Sequence, residues 1–442
     1  MEITGAAGTA AANRTGARPM LLGCIADDFT GATDLALMLT REGLRTVLIT
    51  GLPRDELDPG QADAVVIALK SRTIAAADAI AQSLAAEEKL RRAGARRFFF
   101  KYCSTFDSTP EGNIGPVAEA LQRLTGANVT VVCPAFPATG RRVFMGHLFV
   151  KDKLLSESGM ENHPLTPMTD PDIRRWLRLQ TRGGVGSITL DTVREGSGAI
   201  RSRLRDELTE GNRLVVVDAI EDADLLTIGE AVADHELVTG GSGLAQGLVR
   251  NFAKRGKLSG IPADVPAVSG PGVILCGSCS LASQNQVACH LQNHPGLSID
   301  PAAIVRGTMS IEHAARWVAS NADDNPIVYS TTSPDVVSFV QQRFGREESA
   351  KILEDFFGGL AKRLADTGTH QIVVGGGETS GAVVEALGLK HMIIGAEIDP
   401  GVPVLVSERG RPVRPIGLAL KSGNFGSPDF FAKALDRIAG HE

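Results

Sequence analysis

At 442 residues the chain suits two or three domains of about 150 residues each, and its 43% hydrophobic content fills their cores, so a chain disordered throughout is excluded. Lys and Arg total 45 against 51 Asp and Glu, and the formal charge of −6 offers no basic field for a nucleic-acid backbone. No apolar run nears the ~20 residues of a bilayer span, no signal core opens the chain, and six sparse cysteines suit a reducing compartment: a cytoplasmic protein without a membrane partner is expected.

Residues 1–19 read as a flexible leader ahead of a second methionine, Met20. The apolar run from Met20 to Ala26 predicts a strand, Asp27-Asp28-Phe29-Thr30-Gly31 a loop, and Ala32 to Arg41 a helix. Further strands are expected at Thr46 to Thr50, Ala64 to Leu69, Arg97 to Tyr102, Val129 to Cys133 and Arg213 to Asp218, with helices from Ile74 to Arg92, Gly115 to Leu124 and Leu225 to His235. Between Pro134 and about Thr169 the alternation gives way to a Gly, His and Pro rich excursion, expected to be ordered against the sheet because a structureless loop of that length is unusual. Pro262, Pro266 and Pro271 mark a boundary, with residues 20–255 as one domain, 256–271 as a linker and 272–442 as a second. The second half restarts the rhythm with strands at Val273 to Cys276, Pro326 to Ser330 and Gln371 to Val374, and helices from Ala282 to Leu291 and from Gly381 onward. With aromatics at 5% and 49 glycines, the fold class is α/β: two domains, each with a largely parallel sheet flanked by helices, and an active site in the cleft between them.

Three segments carry chemistry. Asp27 and Asp28 end a buried strand, where carboxylates accept hydrogen bonds from substrate hydroxyls or take a proton, although Asp28 or Thr30 also suits a helix cap. Lys101 to Thr109 places one cation, four Ser and Thr hydroxyls and a carboxylate at the carboxyl end of an aromatic strand. Lys101 can pair with a substrate carboxylate while Ser104, Thr105, Asp107 and Ser108 grip hydroxyls, and Arg72 can supply a bidentate contact; a capped turn and a solvated helix start are the plainer alternatives. Gly375-Gly376-Gly377 leaves backbone N–H groups uncovered before Glu378-Thr379-Ser380, as suits a phosphate, although triple glycine also marks an ordinary turn. Gly277-Ser278-Cys279-Ser280 and the turn around Gly423 repeat the pattern, and three such loops suggest a nucleotide. There is no P-loop sequence, no full dinucleotide fingerprint and no clear Ser-His-Asp arrangement, and the Cys276/Cys279 pair lacks a second ligand pair for zinc.

Assembled, these segments resemble the four-carbon acid sugar kinase family, with the closest likeness to its 3-oxo-tetronate kinase branch. The resemblance rests on Ile25 to Asp34, Lys101 to Val117, Cys133 to Pro137, Gly146 to Val150, Glu161 to Met168, Gly240 to Ala245 and Gly375 to Gly381, and covers the chain beyond the leader. It implies an acid-sugar-binding N-terminal domain with contacts from Asp27 or Asp28, Arg72, Lys101 and Ser104 to Ser108. It also implies an ATP-binding C-terminal domain with contacts from Ser278, Gly377, Glu378, Thr379, Ser380 and Gly423. The expected reaction is ATP- and Mg2+-dependent phosphorylation of the C4 hydroxyl of 3-oxo-tetronate, with Asp28 as proton acceptor, Asp27 and Asp107 as alternatives, and no assigned metal ligand. D-Threonate or D-erythronate is the rival substrate, and a non-catalytic acid-sugar and nucleotide sensor the rival class. Exposed helix faces leave room for a homodimer without identifying an interface.

Overall fold

The computed structural model describes residues 20–53, 55–60, 62–163, 165–256, 265–330, 346–409 and 414–441. The expected leader, and residues 257–264 of the expected linker, lie outside them.

In the N-terminal half, β1 (Leu22–Ala26), β2 (Thr46–Thr50), β3 (Ala64–Ala68), β4 (Phe98–Lys101), β5 (Thr130–Cys133), β9 (Gly184–Ile188), β10 (Asn212–Val217) and β11 (Leu237–Gly240) form a parallel array in the order β2-β3-β1-β4-β11-β5-β10-β9. All five residues of β1 and of β3 are buried, as the continuous apolar runs of a sheet covered on both faces require. The excursion after β5 is ordered as a small antiparallel sheet of β6 (Arg141–Phe144), β7 (His147–Val150) and β8 (Lys153–Leu154). Its β6–β7 turn is fixed by the buried Asp218 carboxylate, which accepts the N–H groups of Met145 and Gly146 at 2.7 and 2.9 Å.

The C-terminal half contributes β12 (Gly272–Cys276), β13 (Gly296–Ser298), β14 (Ile327–Tyr329), β15 (Gln371–Gly375), β16 (His391–Asp399), β17 (Val402–Arg409) and β18 (Arg414–Lys421). Strands β13-β14-β12-β15-β18 run parallel, and β18-β17-β16 continue antiparallel. Each half thus carries the expected largely parallel sheet. The two sheets are also joined, because β16 pairs antiparallel with β2, placing Met392 opposite Leu48 and Ile393 opposite Val47. One 15-stranded sheet runs through the molecule.

The strand order fixes where ligands sit. From β1 the chain moves to β3 and β2 on one side and then to β4 on the other; from β12 it moves to β14 and β13 and then to β15. Each reversal opens a crevice at the carboxyl ends of the two central strands, the place where open α/β sheets bind ligands. The loops after β1 and β4 carry Asp27, Asp28 and Lys101 to Ser108; those after β12 and β15 carry Ser278 and Gly376 to Ser380.

Candidate active site

At the first switch point the backbone of Asp27 is a hub: its N–H donates to the Lys101 carbonyl at 3.0 Å, and its carbonyl accepts from Ser71 and Arg72 N–H at 2.9 and 3.2 Å. The Asp27 carboxylate accepts a fork from Arg72, Nε at 3.1 Å and Nη2 at 2.7 Å, and the same Nη2 lies 2.7 Å from Asp28 Oδ1. Asp28 also caps the Phe29–Arg41 helix, accepting from the Gly31 N–H at 2.9 Å and the Thr30 hydroxyl at 2.7 Å. Position 31 must be glycine, since a Cβ there would stand 2.3 Å from Asp28 Oδ1 and 2.9 Å from Lys101 Nζ. Burial pushes the Asp27 carboxyl above its usual range against the pull of Arg72. Burial acts on Asp28 too, but Arg72, Lys101, and the hydrogen bonds from Thr30 and Gly31 outweigh it and hold that carboxyl low.

Lys101 is buried, and its ammonium donates to the Tyr102 carbonyl at 2.8 Å. Beyond it the chain turns through Phe106, whose φ of 56° is the left-handed conformation a bulky residue adopts only when its surroundings impose it. The Phe106 ring is buried edge-on to Tyr102, 5.4 Å between centroids, which anchors the turn. The Thr105 hydroxyl donates to Asp107 Oδ1 at 2.6 Å, and Asp107 Oδ2 lies 3.9 Å from Arg72 Nη1. The Ser104 hydroxyl has no hydrogen bond among the described residues. Ser108 differs: its hydroxyl donates to the Phe106 carbonyl at 2.9 Å and accepts from Trp176 Nε1 and Gln180 Nε2, each at 3.0 Å. Its capacity is filled by the protein, which ties the loop to the Ile173–Gln180 helix.

The second switch point is built from close backbone approach. A Cβ at Gly277 would stand 2.2 Å from Thr379 Oγ1, one at Gly423 2.5 Å from Ser278 Oγ, and one at Gly376, with φ of 119°, 3.3 Å from Ser278. The three glycine turns therefore converge on one cradle at the N-terminus of the Gly377–Leu387 helix. The hydroxyls of Ser280 and Ser283 donate to the Gly423 carbonyl at 2.6 and 3.0 Å, and that of Ser380 to the Gly376 carbonyl at 2.7 Å. Beneath them lies Lys421, a cation not anticipated from sequence. It is fully buried, donates to Ser283 Oγ, Ser422 O and Gly423 O at 3.0, 3.1 and 3.0 Å, and is lowered by burial to about 8.

The two switch points touch. A Cβ at Gly377 would stand 3.7 Å from Thr30 Oγ1, and one at Gly381 3.1 Å from the Phe29 ring, so the helices starting at Phe29 and Gly377 begin beside each other. Lys70, just past β3, pairs with Glu354 at 2.5 Å and lies 3.8 Å from Glu378 across the same seam. Among the described residues no group of three or more His, Cys, Asp or Glu is arranged to hold a metal ion.

Three further side chains belong to this neighbourhood. Asp34, on the inner face of the Phe29–Arg41 helix, is buried, accepts from the Ser242 hydroxyl through Oδ2, has no partner for Oδ1 among the described residues, and is raised by burial to about 6. His163 accepts the Thr166 N–H on Nδ1 at 3.1 Å, which leaves its proton on Nε2, and burial lowers it while Asp107 and Arg72 lie close enough to act on its charge. Arg141, at the start of β6, is near enough to Cys103, Asp107 and Asp34 for them to act on its charge, and its guanidinium lies over the Phe425 ring of the other half. Asp34 falls on the second turn of the helix after the Asp27-Asp28 loop, and Arg141 and His163 fall in the irregular excursion; only the basic pair Arg141-Arg142 after a glycine offered a signal there.

A sugar-binding N-terminal domain profile matches residues 22–248, and a nucleotide-binding C-terminal domain profile matches residues 273–431. The chain is 54% identical over 96% of its length to a 3-oxo-tetronate kinase of Pseudomonas savastanoi pv. phaseolicola, covering 98% of that protein, and 52% identical over 95% to one of Pseudomonas fluorescens, covering 97%. It belongs to the 3-oxo-tetronate kinase family. A crystal structure from Salmonella typhimurium LT2, carrying a provisional tRNA synthase label, superposes with a TM-score of 0.80 at 44% identity over 94% of this chain and 99% of that one. The family's two profiles divide the chain as the strand order does, with one switch point in each. No helix among the described residues is long and apolar enough to cross a membrane.

Proposed function

We propose that this protein is an ATP-dependent kinase that phosphorylates the C4 hydroxyl of 3-oxo-tetronate, yielding the 4-phosphate and ADP. The observation that carries the reading is the 3.7 Å approach of the Gly377 Cβ position to Thr30 Oγ1, which sets the carboxylate-capped helix start beside the glycine cradle. An acceptor hydroxyl held by the first is within reach of a phosphoryl group held by the second.

The donor set fits a nucleotide triphosphate. Three turns approach so closely that a Cβ at Gly277 would meet Thr379 Oγ1 and one at Gly423 would meet Ser278 Oγ, and the cradle so formed is lined by backbone and a helix N-terminus. Mg2+ would arrive on the phosphates, as is usual where no all-protein cage exists, and would neutralise their charge. Asp28 orients the C4 hydroxyl. Its carboxyl is held low, so it stays ionised and accepts the hydroxyl proton as the oxygen bonds to phosphorus, late in a loose transition state. Arg72 ties Asp27 to Asp28, and Asp107, Ser104 and Thr105 supply hydrogen bonds to the sugar's remaining oxygens. Lys101 offsets the charge of the acid cluster from below.

A coupled ADP-release assay over 3-oxo-tetronate, D-threonate and D-erythronate tests the reading. Turnover is expected with the oxo acid at a kcat/KM at least about tenfold above the others, a difference of one buried carbonyl or hydroxyl contact. A preference for either hydroxy acid would reassign the substrate, and binding of all three without ADP release would leave a sensor.

A further inference from the structure

We propose that Arg141 grips the substrate's carboxylate, with its guanidinium held in plane by Phe425 from the nucleotide-binding half. This rests on the kinase reading above and names the cation of its acid pocket.

The two cations that the sequence offers are set among the pocket's own carboxylates. Arg72 spends Nε and Nη2 on Asp27 and Asp28, and Lys101 is buried with its ammonium on the Tyr102 carbonyl. Arg72 and Lys101 together face Asp27, Asp28, Asp34 and Asp107, so that part of the pocket has no surplus positive charge for an anionic ligand. Arg141 is placed differently. Among the described residues its guanidinium makes one hydrogen bond, Nη1 to the Thr139 carbonyl at 2.5 Å; Nε is buried without a partner, and no carboxylate lies within ion-pair distance. Asp107, Cys103 and Asp34 are near enough to act on its charge, which sets it beside the same loop. A partly buried cation with donors unspent is a site for a planar anion that accepts from both.

The geometry also says what fixes it. The Arg141 guanidinium carbon lies 5.6 Å from the Phe425 ring centroid. That ring is packed by the β16–β17 turn, since a Cβ at Gly401 would stand 2.9 Å from it and 3.2 Å from Asp34 Oδ1. Phe425 is two residues from Gly423 in the cradle, so one contact links the acid grip to the nucleotide turn.

The test compares wild type, Arg141→Met, Arg141→Lys and Phe425→Leu on 3-oxo-tetronate and on erythrulose, the neutral four-carbon ketose in which CH2OH replaces the carboxylate. Affinity for the acid is read separately by calorimetry with ADP present. In Arg141→Met, acid affinity is expected to fall about 100-fold, the loss typical of a charged hydrogen-bonded pair, with ADP binding and erythrulose turnover nearly unchanged. Arg141→Lys should recover part of the loss, and Phe425→Leu should weaken the acid by about threefold to tenfold. Equal losses for acid and erythrulose, or an unchanged acid affinity in either Arg141 variant, would overturn the proposal. If Arg141→Met fails to bind ADP, Arg141→Lys decides by the same criteria, and the wild-type complex with acid and ADP decides directly by whether the carboxylate meets Arg141. Loss of acid binding in the variants without wild-type turnover would retain this proposal and sink the kinase reading.

Discussion

The two switch points are built by opposite means. The one after β1 and β4 is charged: four carboxylates, two arginines and a lysine lie close together, most of them buried, with Arg72 bridging Asp27 and Asp28 and the other charges held by neighbouring hydroxyls and backbone. The one after β12 and β15 carries less charge, built from glycine turns, hydroxyls and a helix start bearing Glu378, with a buried lysine beneath. A small acid that must be told from its neutral analogues needs charge at fixed positions, whereas a polyphosphate that brings its own cation needs backbone dipoles and room. The first site should therefore break when charge changes at constant shape, and the second when volume is added at constant charge.

The largest effect is expected from Asp28→Asn, which keeps shape and removes the proton acceptor. kcat should fall by at least about 100-fold, with acid and ATP affinities changed much less. Undiminished turnover at saturating substrates would end the assignment and pass the role to Asp27 or Asp107. Next comes Gly423→Ala, whose added methyl meets Ser278 Oγ: KM for ATP should rise about tenfold with acid affinity intact, and a reverse pattern would show that this turn does not line the nucleotide. Lys421→Met should give a similar but smaller rise, because it removes the ammonium that gathers Ser283, Ser422 and Gly423 without filling the cradle.

Lys101→Met sharpens the comparison through pH. Lys101 helps hold Asp28 low, so its removal should move the acid limb of kcat upward in pH, and a limb that stays put would place Lys101 outside the catalytic field. The smallest effect is on stability. Asp34 titrates near 6 when folded against an ordinary 3.8, so the native state binds its proton more tightly and stability is lost as pH rises from about 4 to 6. Asp34→Asn should raise Tm at pH 7 by the equivalent of about 2 kcal/mol, with the gain vanishing near pH 4; a gain independent of pH would refute the titration.

Much of this was legible in the sequence because it is local. Buried parallel strands write continuous apolar runs, so β1, β3, β4, β12 and β15 stood out, and the loops that follow them could be read directly. Two kinds of feature did not show. Strand β16 has mixed burial and joins the halves through a pairing about 340 positions apart, which no local period records. The partners of each charge were equally invisible: Arg72 and Lys101 looked free for a ligand until the fold put Asp27, Asp28 and Tyr102 against them, and Ser108 looked like a sugar contact until Trp176 and Gln180 filled it. Sequence identifies which groups are present; only the fold shows which remain unspent.

The central claim is that an acid held at one switch point reaches a phosphoryl group held at the other. Incubating the protein with 3-oxo-tetronate and Mg-ATP, then assigning the phosphorylated carbon by 31P–1H correlation NMR, tests it most directly. One ADP per phosphate ester, with all of the ester on C4, is the predicted result. ADP released without a phosphorylated acid, or an ester on C2, would contradict it.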